Sequence, residues 1–185
     1  MLKRHFHKVH LEHDPSSYDG PVLLIGNHFS WWDGFIGYFL SFTVFRKRFH
    51  VMMLEEQLEK RMFLNKGGAF SVRKSSRSAA ESLAYSSEIL TGRDNLLLLF
   101  PQGRIQTLYT KDFVFERGIE RILSHLSEPP VVYFMVNLVD YFSRPKPSLF
   151  IRTMRYQGEV TVSGMQEAYN RFFSECVSKQ AEDLV

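Results

Sequence analysis

A histidine and an aspartate five residues apart, His28 and Asp33, are the residues of this sequence best suited to acid–base chemistry. An apolar run, Pro21 to Gly26, predicts a buried strand before them, and Gly34 to Phe45 predicts a largely buried helix after them. A turn between these elements can fold the carboxylate back onto the imidazole. Asp33 would then hold one tautomer of His28, whose other nitrogen would take a proton from a nucleophile. On spacing alone, a histidine near a helix that Asp33 merely caps is the simpler interpretation.

The elements that must position these residues alternate between strand and helix. Further strands are predicted at His50–Leu54, Asn95–Phe100, Val131–Val136 and Leu149–Arg155. Helices are predicted from a cap at Ser75 or Ser76 to a stop at Gly92, in the second half of Phe113–Leu126, and from a Ser163–Gln166 capping box to the end. The pattern predicts one domain, residues 1–185, with an α/β sandwich of helices around a mostly parallel or mixed central sheet.

Composition is that of an ordinary globular protein, with 185 residues, 44% of them hydrophobic. The single cysteine, Cys176, has no internal disulfide partner, and the first residues lack the pattern of a secretory signal. The longest uncharged stretch near the start stops at Arg46–Arg48, too early for a membrane span. We therefore expect a cytoplasmic protein without a spanning helix.

Basic charge is concentrated between Arg46 and Arg77, a stretch that contains nine Lys/Arg and only three Glu. Aromatic and apolar residues are interleaved with these charges, among them Phe45, Phe49 and Phe63 with Leu64. Such a region suits an anionic membrane or a nucleic acid, or is a solvated basic face over an aromatic core. Because no nucleic-acid recognition motif accompanies the charge, we expect no nucleic-acid partner.

Four short blocks carry a resemblance to a known family. Asn27–Asp33 follows the pattern N-H-x-S-x-x-D, and Gly67–Arg73 follows G-x-x-F-x-x-R. Phe100–Arg104 is similar to F-P-E-G-T-R, and Pro129–Val132 is an apolar block that contains proline. In this order and at this spacing they resemble the motifs of the glycerolipid acyltransferase family, whose best-known members are lysophosphatidic acid acyltransferases.

The resemblance implies transfer of an acyl group from acyl-CoA or acyl carrier protein to a hydroxyl of a lysophospholipid or related lipid. His28 would be the general base and Asp33 would orient it. No G-x-S-x-G elbow is present and Cys176 lies on the predicted terminal helix, so direct transfer without an acyl-enzyme is the simpler mechanism. Neither a metal nor a cofactor other than the thioester donor is expected.

Substrate binding is assigned through the second and third blocks. By the resemblance, Arg73 would bind an acceptor phosphate, and Gln102, Gly103 and Arg104 would line the acceptor site. Ser30 is a further candidate contact, although its position better fits local hydrogen bonding. This chain departs from the family, which usually has Glu where Gln102 stands, Thr-Arg where Arg104-Ile105 stands, and often Pro where Tyr133 stands. These departures concern the residues assigned to acceptor binding. They do not involve His28 and Asp33, the pair that we call the dyad.

Two alternatives accompany this hypothesis, a thioesterase-like hydrolase and a lipid-binding protein with weakened catalysis. For the transferase we expect peripheral contact with anionic membrane through Arg46–Arg48 and the neighbouring Phe45, Phe49, Phe63 and Leu64. His5, His7, His10 and His13 share no face of a strand or helix, so they predict a basic leader near the membrane rather than a metal site.

Overall fold

A seven-stranded mixed sheet is the framework of the described part of the chain. The structure is a computed structural model, and it describes residues 2–14, 19–54, 67–72 and 76–182. The strands are β1 (Val9–His13), β2 (Val22–Gly26), β3 (Arg48–Leu54), β4 (Ala69–Val72), β5 (Asn95–Leu99), β6 (Val131–Asp140) and β7 (Ser148–Arg155). Their order is β1-β7-β6-β2-β5-β3-β4. All neighbours are parallel except β6 and β7, which form an antiparallel hairpin.

Helices cover both faces of the sheet. They are α1 (Leu2–His5), α2 (Trp32–Leu40), a π-helical continuation of α2 (Ser41–Phe45), α3 (Ser76–Ile89), α4 (Gly118–Ser124) and α5 (Val162–Glu182). Helices α3, α4 and α5 pack on the face that contains Leu23 and Ile25, while α1 and α2 pack on the face of Val22 and Leu24. Because β2 is buried on both faces, it reads in the sequence as a continuous apolar run. The predicted α/β class is confirmed.

The strand directions define two edges of the sheet. Strands β2, β3, β4, β5 and β6 all run the same way, so their carboxyl ends lie together. We call this the His28 edge, because residue 28 follows β2. We call the other the Arg46 edge, because the π-helical segment ends there at Arg46, just before β3 begins.

Several element boundaries differ from the predictions. The helix after β2 begins at Trp32 instead of Gly34. The predicted Ser163–Gln166 capping box is wrong, since α5 begins at Val162 and the Thr161 hydroxyl accepts the Gly164 amide proton at 3.2 Å. Strands β1 and β4 were not predicted, and both lie at the outer ends of the sheet, where short strands carry little apolar signal.

Within the described residues we find no helix with the length and apolar character that crossing a membrane requires.

Candidate active site

An asparagine side chain connects the end of β2 to the neighbouring strand. Asn27 is buried, and its Nδ2 donates to the Asn137 carbonyl at 2.8 Å while its Oδ1 accepts the Asn137 amide proton at 2.8 Å. Asn137 belongs to β6, the neighbour of β2. The side chain thus continues the strand pairing beyond Gly26 and sets the direction in which the next loop leaves the sheet.

The Asp33 carboxylate organises that loop. Its Oδ2 accepts hydrogen bonds from His28 Nδ1 at 2.9 Å and from the amides of Phe29 and Ser30 at 2.8 Å each. The side chain of Asp33 has no exposed surface. Since both amides precede α2, the carboxylate folds back onto the loop and does not simply cap the helix. The structure therefore brings His28 and Asp33 together, whereas spacing alone favoured a plain helix cap.

The hydrogen bond to Asp33 determines the tautomer of His28. A carboxylate oxygen only accepts, so Nδ1 carries the hydrogen and the neutral ring keeps its lone pair on Nε2. The ring stacks on Phe100 with centroids 4.2 Å apart and planes 14° apart. It remains 22% exposed, so a small group can approach it. This arrangement makes His28 a candidate base whose ring is oriented by Asp33.

Ser30 is engaged locally. Its hydroxyl donates to Asp33 Oδ1 at 3.4 Å and accepts the Trp32 amide proton at 3.1 Å. These bonds tie the loop to the first residue of α2 and agree with the local hydrogen-bonding role expected for Ser30. A substrate contact by this residue stays a prediction.

The third block forms a turn beside the dyad. Gly103 donates its amide proton to the Phe100 carbonyl at 3.0 Å and has φ of +65°, a conformation that favours glycine. Further along, the Gln106 amide donates to the His28 carbonyl at 2.8 Å. The turn and the loop behind it are therefore tied directly to the backbone of the candidate base.

Gln102 is the unusual residue of this turn. It is only 4% exposed, yet neither its Nε2 nor its Oε1 has a hydrogen-bond partner among the described residues. An unpaired buried amide costs about 1–3 kcal/mol per group, so such a group is suited to a polar ligand. Gly103 and Arg104, by contrast, are exposed. The predicted phosphate ligand, Arg73, lies outside the described residues.

Two contributors were not predicted from the sequence. Phe100 was noted only as a motif position, and its ring forms the surface on which His28 stacks. Tyr169 of α5 is fully buried, and its hydroxyl donates a proton to the carbonyl of Met135 at 2.9 Å. Met135 pairs with Gly26, the last residue of β2 before the loop. Burial raises the pKa of Tyr169 well above its ordinary value, with smaller contributions from Cys176 and Asp33. In the sequence, Tyr169 could have been noticed because its hydroxyl lies among the apolar residues that recur along α5.

The fourth block is remote from the dyad. Val131 pairs with Val22, the first residue of β2, so this block lies at the Arg46 edge. Tyr133, which stands where the family often has proline, is fully buried and packs edge-on against Phe45 with centroids 5.0 Å apart. The block therefore contributes to the core and not to the site.

The amino-terminal histidines are built into the fold. His5 packs on Trp32 with ring centroids 4.6 Å apart, His10 stacks on Phe150, and His13 Nδ1 lies 2.7 Å from the Thr153 hydroxyl. These residues form α1 and the edge strand β1, and the expected position of this basic segment near a membrane stays a prediction. The described residues contain no cluster of three or more His, Cys, Asp or Glu side chains able to hold a metal ion.

Comparison with known proteins agrees with the geometry. A family model described as Acyltransferase matches residues 6–136, a segment that includes the dyad, the Phe100–Arg104 turn and the fourth block. A search of curated proteins finds no match. Because the family model covers well over half of the chain, the protein belongs to the acyltransferase family, that of the glycerolipid acyltransferases.

Proposed function

We propose that this protein transfers a fatty acyl group from a thioester, acyl-CoA or acyl carrier protein, to a hydroxyl of a lysophospholipid or related lipid. The observation that carries this proposal is the 2.9 Å hydrogen bond between His28 Nδ1 and the buried Asp33 carboxylate. It leaves Nε2 as a base, while the two loop amides that Asp33 also accepts keep the carboxylate in place.

In the proposed reaction, His28 Nε2 takes the proton of the acceptor hydroxyl as its oxygen attacks the thioester carbonyl. A new C–O bond forms, and the tetrahedral intermediate then breaks its C–S bond. The departing sulfur takes the proton back from the imidazolium, so the free thiol and the neutral histidine are restored. Asp33 stabilises the imidazolium between the two steps through the bond to Nδ1.

Direct transfer is favoured over an acyl-enzyme. Cys176 is buried in α5, and burial raises the pKa of its thiol to about 12, so it stays protonated at neutral pH. The Ser30 hydroxyl bonds to Asp33 and to the Trp32 amide, and not to His28. The acceptor hydroxyl is therefore the best nucleophile for this base.

Acceptor binding is proposed for Gln102 and Arg104, with Arg73 as phosphate ligand. The buried amide of Gln102 offers the N–H groups of Nε2 as donors and Oε1 as an acceptor, all without partners among the described residues, and ligand hydroxyls pair with them. The Gly103 amide is already bonded to Phe100, so it is not assigned to the oxyanion of the intermediate.

Thiol release from long-chain acyl-CoA, followed with a panel of lyso-lipid acceptors, tests the proposal. We expect release that depends on an acceptor and falls by about 10²- to 10⁴-fold in His28→Ala. His125→Ala is the matched control, because this exposed histidine follows α4 and its Nδ1 lies 2.6 Å from the Arg121 carbonyl of that helix.

Two results would contradict the proposal. Unchanged release in His28→Ala would remove the histidine from the mechanism. Release that ignores every acceptor would identify water as the acyl acceptor and make the protein a thioesterase.

A further inference from the structure

The loops at the His28 edge expose large apolar side chains. Ile105, Leu108 and Tyr109 are exposed in the loop after β5, and Tyr109 is 89% accessible. Tyr141 and Phe142 are exposed in the hairpin between β6 and β7. Single exposed apolar residues are common, but five of them in two loops at one edge of a sheet are a candidate interaction surface.

This surface adjoins the dyad. Gln106, which lies between Ile105 and Leu108, donates its amide proton to the His28 carbonyl at 2.8 Å. Strand β6 is the neighbour of β2, and it extends beyond Met135, the partner of Gly26, to Asp140 before the hairpin turns. Both loops therefore project from the edge that contains His28.

The charge of these loops is mostly positive. Residues 100–117 and 141–147 contain two acidic residues, Asp112 and Glu116, and five basic ones, Arg104, Lys111, Arg117, Arg144 and Lys146. All seven are exposed. Aromatic and aliphatic side chains next to exposed cations match the interface of an anionic bilayer, where apolar groups enter the headgroup layer and cations meet phosphates.

The basic stretch that the sequence favoured for membrane contact lies elsewhere. Arg46–Arg48 lines a cleft of about 710 Å³ at the Arg46 edge, beside Phe42 and Asp94. The 14 residues of α2 and its π-helical continuation separate the two edges, about 20 Å at helical rise. Of the apolar residues expected to contact lipid there, Phe45 is buried, Phe49 is partly buried in the wall of the cleft, and Phe63 and Leu64 lie outside the described residues.

We infer that the His28 edge, through Ile105–Tyr109 and the Tyr141–Phe142 hairpin, docks on the surface of an anionic phospholipid bilayer. This inference rests on the proposed function, because a lipid acceptor resides in such a bilayer and reaches His28 from the docked edge. Docking by the Arg46 edge would leave the dyad facing away from the lipid.

Co-sedimentation with vesicles of phosphatidylcholine, with and without phosphatidylglycerol, tests the inference. Tyr109→Ser with Tyr141→Ser should lower the partition coefficient on anionic vesicles by about tenfold, since both rings leave the interface. Phe42→Ser, which removes a similarly exposed ring at the Arg46 edge, should change it less than twofold.

The charges are tested in the same way. Lys111→Gln with Arg144→Gln should weaken binding by about fivefold per residue, from roughly 1 kcal/mol for each cation near the surface. Arg46→Gln with Arg48→Gln at the opposite edge should have little effect. Two results would overturn the inference. One is an equal loss of vesicle binding in the two double variants, and the other is a loss of binding only in the Arg46/Arg48 variant or only in Phe42→Ser.

Other outcomes also overturn it. These are equal binding to neutral and anionic vesicles, absence of vesicle binding, or a dimer in solution that Tyr109→Ser dissociates without any vesicle binding. Failure of the proposed function can be distinguished from failure of the docking inference. The His28→Ala variant keeps the docking surface intact and should sediment with vesicles like the wild type. Vesicle binding without acceptor-dependent thiol release would refute transfer and leave docking standing.

Discussion

The two edges of the sheet both combine basic residues with exposed aromatic rings, but they differ in how their polar groups are arranged. At the His28 edge, Asn27 and Asp33 are buried, and each makes two hydrogen bonds to backbone groups. At the Arg46 edge, Arg46 and Arg48 are exposed around an open cleft. The density of charge in the sequence pointed to the second edge. The hydrogen-bonded polar groups of the candidate site lie at the first edge, where buried central strands end, which is where sheets of this kind generally bind their ligands.

The largest expected effect comes from Asp33→Asn. The amide keeps the size of the side chain, but it loses the charge that stabilises protonated His28 and no longer dictates a hydrogen on Nδ1. We expect kcat for acyl transfer to fall by about 10²- to 10⁴-fold, measured as acceptor-dependent thiol release. Asp94→Asn, an exposed aspartate at the Arg46 edge, is the control and should retain activity. Similar losses in both variants would erase the distinction between the edges.

Asn27→Ala should mainly affect stability. Its side chain satisfies both the amide and the carbonyl of Asn137, and the substitution leaves two buried backbone groups unpaired. We expect the free energy of unfolding to fall by about 2–4 kcal/mol, measured by urea denaturation. An unchanged value would show that the strand pairing does not depend on this side chain.

Gln102→Met separates ligand binding from stability. Removing a buried amide that lacks partners among the described residues should raise the free energy of unfolding by about 1 kcal/mol. The KM for the acceptor should rise about tenfold, since the ligand loses its hydrogen bonds. Gln157→Met, at an exposed position, is the control. A loss of stability in Gln102→Met would mean that its amide is already hydrogen-bonded.

The smallest effect concerns pH and two partly buried histidines outside the candidate site. His13, whose ring meets Phe45, and His50, near the start of β3, are partly buried, and this burial lowers the pKa of each imidazole below its ordinary 6.5. Below about pH 6.5 the unfolded chain therefore binds more protons than the folded one, so their contribution to stability is present above that pH and lost as pH falls. We expect Tm to decrease from about pH 7.5 to about pH 5.5, and to decrease less in His50→Gln. The same slope in wild type and variant would contradict the assignment to His50.

Much of the central sheet was predictable. Strands β2 and β5 are buried on both faces, so their apolar runs predicted them almost to the residue. The outer strands β1 and β4 are short and lie where apolar residues are not required, so composition did not mark them. The start of α5 was misplaced because Thr161, Ser163 and Gln166 are all plausible at a helix start. Tertiary structure instead engages Gln166 with the Phe115 amide.

Within the site, the sequence allowed a pairing of His28 with Asp33, because only four residues lie between them in the chain. The stacking of His28 on Phe100 joins residues 72 positions apart in the chain, and the bonds of Asn27 to Asn137 span 110 positions. Such contacts depend on strand order, and local pattern contains no information about which strands become neighbours.

By itself, the sequence determined the family, the α/β class and the residues of the dyad, because apolar runs and short motifs are local properties of the chain. Tertiary structure alone decided that the first and third blocks meet at one edge while Arg46–Arg48 and the fourth block lie at the other. The reason is that the carboxyl ends of parallel strands lie on the same side of the sheet. A residue at the carboxyl end of its strand therefore lies near His28, and one at the amino end lies far from it.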